Sequence, residues 1–216
     1  RVMSRWFLFV AALSVTFSTA AAVAADPIVL NPDCPPGFEL NTGQCELRSL
    51  YQLYPSLQDA GVGGLKTGLP AWRDGFSPQQ TDLGRYLFFD PVLSADGTVS
   101  CATCHAPDKG FSDGLGQSVG IKGSVLPRSS PSLWNVGFLD SFFWDARASS
   151  LEEQMAGPLF DKHEMGNNPQ QLLDTLNGIA AYRALFAQAF PEAFNSAESP
   201  IRLEQVYTAI TAFQVS

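Results

Sequence analysis

Five consecutive residues, Cys101-Ala102-Thr103-Cys104-His105, bring two thiols and an imidazole together in a chain of 216 residues that holds only four cysteines and two histidines. Two cysteines three positions apart, with histidine directly after the second, form the attachment pattern of c-type haem. The thiols add to the vinyl groups as thioethers and the histidine gives an axial nitrogen to iron. Other uses of the cluster fit less well. A thioredoxin-like redox pair expects a βαβ context, and a structural zinc site needs four ligands; the surrounding sequence offers neither. Cys101, Cys104 and His105 are therefore assigned to haem, with His105 as the ligand to iron.

What such a haem does depends on its sixth coordination position. An electron carrier closes it with a strong ligand such as methionine, whereas a peroxidase leaves it open for peroxide. The candidates downstream of the motif are Met155, Met165 and His163. Their plainer readings are core filler for Met155 and a solvated loop residue for His163 in "FDKHEMGNN".

The formal net charge of −8 and a pI near 4.6 argue against a nucleic-acid partner, because phosphate binding needs a basic footprint, and favour a neutral or basic one. Residues 1–25 start with Arg1 and Arg5, continue through an apolar run from Trp6 to Phe17, and end in small residues, the grammar of an export signal. The apolar run is shorter than the ~20 residues of a bilayer span. Export permits disulfides. Cys34 and Cys45 flank "PPGFELNTGQ", a turn-rich loop able to return the two sulfurs to bonding distance, and are expected to pair. The Gly-rich stretch Asp59–Pro70 reads as a boundary, giving an N-terminal extension over 26–70 and a compact domain over 71–216.

Within that domain Ser77, Pro78 and Gln80 spell a capping box opening a helix whose Leu83, Tyr86 and Leu87 share a face. Asn168, Pro169 and Gln171 repeat the signal before Leu172, Leu173 and Leu176, with Gly178 expected to split the segment into two helices. A further helix is expected from Ser199 and Pro200, carrying Leu203, Val206, Tyr207, Ile210 and Phe213. It meets no stop signal before the sequence ends, which suggests that the chain continues in a larger protein. Residues 88–170 read as turns and short segments with no pattern long enough for a sheet. The expected class is all-α: a cytochrome c-like helical haem domain with long ordered loops, preceded by a signal peptide and a disulfide-looped extension.

Three ordered stretches carry a more specific resemblance: "LGRYLFFDPVLSADGTVSCATCHAPDKGFSDG", "RSSPSLWNVGFLDSFFWDARASSLEEQMAGPL" and "EMGNNPQQLL". Over about residues 78–216 the chain resembles the N-terminal haem domain of the bacterial di-haem cytochrome c peroxidase and MauG family. The resemblance implies an exported enzyme with two c-type haems, one per cytochrome-like domain, in which the N-terminal haem is where hydrogen peroxide is reduced. By matching motifs, Cys101, Cys104 and His105 are the haem attachment and proximal ligand, Trp134 in "PSLWN" is the tryptophan between the two haems, and Glu152 in "SLEEQ" is the distal-pocket glutamate, with Glu153 as its alternative. A distal carboxylate suits the chemistry, because it can take a proton from bound peroxide and return it to the departing oxygen. Phe142 stands where some members place a distal glutamine. The calcium ligands the family suggests have no assignable positions, and no second Cys-x-x-Cys-His occurs in the 216 residues.

The expected function is thus a periplasmic or otherwise exported haem peroxidase module, reducing hydrogen peroxide with electrons from a small cytochrome or copper protein. Two rivals stand beside it: a mono-haem electron carrier with Met155 or Met165 as sixth ligand, and MauG-like oxidation of a protein side chain. With 12% aromatic residues, an exposed apolar face and self-association, as a homodimer for instance, are also expected.

Overall fold

The computed structural model describes residues 26–48, 72–194 and 199–216. The expected signal segment and the Gly-rich boundary lie outside the described residues.

Six α-helices, five single-turn 3-10 helices and one β-hairpin make up the regular structure of the described residues. Helix α1 (Pro78–Phe89) starts where the capping box places it: Ser77 Oγ accepts from the Gln80 N–H at 3.1 Å and Gln80 Oε1 accepts from the Ser77 N–H at 3.0 Å. Leu83 and Leu87 point into the core, while Tyr86 is half-buried. The haem motif forms a single turn, α2 (Cys101–Cys104). Helices α4 (Pro169–Gly178) and α5 (Ala180–Ala189) are separated at Ile179, one residue after the glycine expected to split them. Asn168 Oδ1 caps α4 by accepting from the Gln171 N–H at 2.9 Å.

Three expectations need correction. First, the turn-rich reading of residues 88–170 overlooked α3 (Leu151–Phe160). Leu151, Met155 and Leu159 form a fully buried i, i+4, i+8 stripe, but Gly157 and Pro158 in its last turns weaken the helical signal in sequence. Second, α6 (Leu203–Gln214) starts three residues past Pro200. The Ile201 N–H donates to Asn177 Oδ1 at 2.8 Å and its side chain is buried, so residues 199–202 stay extended against α4. Third, the all-α class omits a hairpin of β1 (Phe38–Asn41) and β2 (Gln44–Leu47), antiparallel with Phe38 opposite Leu47. Its turn residues Thr42 and Gly43 both have positive φ, 48° and 85°, as tight hairpin turns require. Four-residue strands that are mostly exposed leave no apolar alternation to read.

The Cys34–Cys45 disulfide forms as expected and staples the hairpin, which is built into the rest of the fold. The Cys45 N–H donates to the Phe76 carbonyl at 2.7 Å and the Gly75 N–H to the Cys45 carbonyl at 3.2 Å. Upstream, Leu30 is buried in the main core and its N–H donates to Gln188 Oε1 on α5 at 3.0 Å. The main core gathers α1, α3, α4, α5 and α6; a smaller cluster of Val136, Phe142, Ala148, Leu151 and Val215 packs against Trp72, Phe76 and Phe143.

Helices α1 and α6 make the most extensive helix contact, and Gly84 is the reason they approach so closely. A Cβ there would sit 1.8 Å from the Ala209 carbonyl oxygen and 2.9 Å from Phe213 Cβ. The loop before α3 is held differently. Phe142 and Ala148 exchange backbone hydrogen bonds of 2.9 and 3.4 Å, and the chain between them turns through left-handed Phe143 and Ala146, with φ of 67° and 53°. Such conformations cost roughly 1–2 kcal/mol in a residue bearing a Cβ.

Two stability predictions follow from this geometry. Gly84→Ala must separate α1 from α6 and is expected to destabilise the protein by at least ~3 kcal/mol in chemical denaturation; a loss below ~1 kcal/mol would show that the helices do not cross at this distance. Ala146→Gly removes the clash without disturbing a contact, and should raise stability by roughly 0.5–1 kcal/mol; a fall in the unfolding midpoint would contradict the left-handed assignment.

Candidate haem-attachment site

The α2 turn is short but well tied. Ser100 and Thr103 hold each other across its start, with the Ser100 N–H donating to Thr103 Oγ1 at 3.0 Å, and the His105 N–H closes its end on the Cys101 carbonyl at 2.9 Å. Cys101 and Cys104 are free thiols, half-buried, and packed beside α1. Burial pushes the Cys101 thiol up to about 12. Burial also raises Cys104, reinforced by the carboxylates of Asp113 and Glu164 and opposed by a hydrogen bond from Ser130.

The chain after His105 folds back upon it. Ala106 and Ser112 pair as an isolated antiparallel bridge, the Phe111 N–H donates to the Ala106 carbonyl at 2.9 Å, and Phe111 takes a left-handed φ of 55°. This presents the Phe111 carbonyl to the imidazole, and His105 Nδ1–H donates to it at 2.9 Å. The bond fixes tautomer and ring plane and leaves Nε2 as the nitrogen for a metal. Burial lowers the His105 pKa, with the carbonyls of Phe111 and Pro131 and the Asp113 carboxylate pulling the other way; the neutral imidazole is the form that binds iron. Two thiols on one helical turn with a tautomer-locked histidine beside them fit covalent haem.

Asp113 is a site residue that sequence reasoning passed over. It is 5% exposed; Oδ1 accepts from the Leu115 N–H at 2.9 Å, while Oδ2 has no hydrogen-bond partner among the described residues. A carboxylate buried in a loop of Ser, Asp and Gly reads in sequence as an ordinary turn former, so only the folded loop reveals it.

Trp134 lies close to this loop. Its N–H donates to Ser132 Oγ at 3.2 Å, Ser132 in turn donates to the Gly110 carbonyl at 2.6 Å, and the indole meets the Phe111 ring edge-on at 5.8 Å between centroids. At 67% exposed it is not a core residue, which removes the plain packing explanation for it. Trp134, Phe111, Trp72 and Phe38 are among the residues that line a cavity of about 250 Å³.

The glutamate pair in α3 is resolved into two jobs. Glu153 is exposed and accepts from the Ser149 N–H and hydroxyl at 2.8 and 2.9 Å, which hold its carboxyl below the usual range. Glu152 is 26% exposed at the side chain and forms a two-pronged ion pair with Arg73: Nη1 donates to Oε2 at 2.7 Å and Nη2 to Oε1 at 2.5 Å. Arg73 had no signal in the sequence, because it stands 79 positions before its partner Glu152 and outside every motif. Phe142 is buried in the smaller cluster, where its apolar ring offers no hydrogen bond. Met155 and Met165 are both buried in the main core, and His163 is exposed. Among the described residues no group of three or more His, Cys, Asp or Glu side chains is arranged to hold a metal ion.

The family described as di-haem cytochrome c peroxidase matches residues 78–216. The methylamine utilization protein MauG of Methylorubrum extorquens is 41% identical over 138 residues, 64% of this chain and 38% of that protein. The cytochrome c551 peroxidase of Pseudomonas aeruginosa is 39% identical over 140 residues, 65% of this chain and 39% of the relative. Among solved structures, a MauG-like protein associated with microbial copper homeostasis superposes with a TM-score of 0.61 at 36% identity, covering 70% of this chain and 45% of that one. The diheme peroxidase BthA of Burkholderia thailandensis gives 0.56 at 28% identity, over 68% and 40% of the two chains. This chain therefore spans about two fifths of the length of the relatives it matches, and it belongs to the di-haem cytochrome c peroxidase family.

Proposed function

We propose that this chain is the peroxide-reducing haem module of an exported peroxidase, taking electrons from a small redox protein. The observation that carries the proposal is the haem-ready turn, with His105 locked by the Phe111 carbonyl; the family-motif carboxylate Glu152, half-buried in the first turn of α3, supplies the acid/base that the reading needs. Bound at Cys101 and Cys104, haem supplies an iron that passes electrons to peroxide.

The chain's own residues do the rest. Cys101 and Cys104 would attach the haem covalently at α2, and His105 Nε2 would ligate its iron. Glu152 would handle the protons, taking one from peroxide and returning it to the oxygen that leaves. In the net reaction hydrogen peroxide takes up two electrons and two protons, the O–O bond breaks and two waters form. Trp134, exposed and edge-on to Phe111, is suited to pass electrons from a second haem, as its place in the family motif suggests. The net charge of −8 favours a basic or neutral donor such as a small cytochrome or cupredoxin. The Cys34–Cys45 disulfide supports an oxidising, exported location.

Haem-loaded protein should react with hydrogen peroxide in rapid mixing, and Glu152→Gln should slow the second-order rate by 10²-fold or more. An unchanged rate in Glu152→Gln would remove the glutamate from the mechanism. Cys101→Ala/Cys104→Ala, expressed with a haem-attachment system, should lack the covalent mass gain of haem seen in the parent; equal gain in both would remove the motif assignment.

A further inference from the structure

Arg73 lies five residues ahead of the segment that matches the family, in the stretch that joins the N-terminal extension to α1. Its guanidinium holds both oxygens of Glu152, and its own backbone is held from several directions. The Arg73 N–H donates to the Gly137 carbonyl at 3.0 Å, and the preceding Trp72 lies flat on Gly137, where a Cβ would come within 2.9 Å of the indole. On the other side, Asp74 Oδ2 accepts from the Leu47 N–H at 3.1 Å, and Gly75 and Phe76 bond the disulfide residue Cys45. The Phe76 ring lies under the guanidinium, 5.7 Å from its carbon. The backbone that carries this long side chain is thereby anchored to the hairpin that the disulfide staples.

A guanidinium is not a proton donor in this pH range, because it does not give up its charge. Both of its terminal nitrogens are engaged by Glu152, so the route to peroxide chemistry that the geometry offers is the carboxylate it grips. Each oxygen of Glu152 spends one acceptor site on the fork and keeps another, so the carboxylate still has room to exchange a proton with a ligand while its plane is fixed. A single-pronged cation would leave the side-chain torsions of Glu152 free.

We propose that Arg73 is a positioning residue for Glu152, and that the disulfide-stapled N-terminal segment is part of the peroxide site because it delivers this side chain. The proposal rests on the reading of Glu152 as the acid/base.

The test uses the full chain loaded with haem and compares the parent with Arg73→Gln, Arg73→Lys, Glu152→Gln and Arg73→Gln/Glu152→Gln. Two readouts are taken: the second-order rate of reaction with hydrogen peroxide, and the unfolding midpoint of each protein. Arg73→Gln should slow the peroxide reaction about tenfold or more, leave the saturation constant for the electron donor unchanged, and have no further effect once Glu152 is Gln. Arg73→Lys should restore only part of the rate, since lysine lacks the fork. The unfolding midpoints should be non-additive across the cycle, reporting the pair itself independently of turnover. If Arg73→Gln runs at the parent rate while Glu152→Gln is slow, the positioning role is overturned and the acid/base reading stands. If Glu152→Gln itself runs at the parent rate, the acid/base reading fails first. Equal slowing by Arg73→Gln with and without Glu152, full recovery in Arg73→Lys, or additive midpoints each contradict action through the paired carboxylate.

Discussion

The contact of α1 with α6 at Gly84 and Ala209 is the constraint on which the rest of the molecule hangs. With hydrogen in place of a Cβ at Gly84, the two backbones meet directly, and the crossing fixes the platform against which α2 packs. A four-residue helix has little stability of its own, because helix nucleation is unfavourable and one turn cannot repay it. The Cys101–Cys104 turn therefore exists because α1 supports it on one side and the returning loop through Phe111 supports it on the other. Helix crossing, cysteine register and histidine tautomer form one chain of causes.

That chain of causes also explains what the sequence made legible. The start of α1, the split between α4 and α5, the disulfide and the haem motif all depend on local chemistry: Ser77 and Asn168 capping nearby N–H groups, a glycine ending a helix, two thiols a short loop apart. The hairpin, α3 and the true start of α6 depend on tertiary partners. Phe38–Leu47 is ordered by pairing with Phe76 and Gly75, α3 by burial of a three-residue stripe despite Gly157 and Pro158, and the extended run before α6 by Asn177. None of those partners is near in sequence. The site divides in the same way. Cys101, Cys104 and His105 announce themselves by spacing, and Glu152 and Trp134 were reachable through family motifs, but Asp113 and Arg73 matter only because of what the fold sets beside them.

Strain collects around this site. Phe111, Asn135, Phe143 and Ala146 all adopt left-handed backbone, and each adjoins or belongs to a feature already described: the carbonyl that holds His105, the residue after Trp134, and the loop that enters α3. Conformations of this kind persist where surrounding contacts over-determine them, and they cluster where side chains must be aimed rather than merely buried. The second pole of the site is aimed by charge. Glu152 begins α3, where a carboxylate is favoured by the helix N-terminus, and Arg73 then orients it from a segment that the family match does not cover. Splitting the adjacent glutamates between capping, at Glu153, and the ion pair, at Glu152, leaves one carboxylate for chemistry.

On the proposed function, iron held by His105 would keep a position open to peroxide, with Met155 and Met165 committed to the core. The most direct measurement is the optical and EPR spectrum of the haem-loaded protein, ferric and ferrous, before and after hydrogen peroxide is added. The account predicts a high-spin iron whose spectrum changes on adding peroxide and loses that response in Glu152→Gln. A low-spin spectrum that peroxide leaves unmoved, and that Met155→Ala or Met165→Ala abolishes, would contradict it and make the protein an electron carrier.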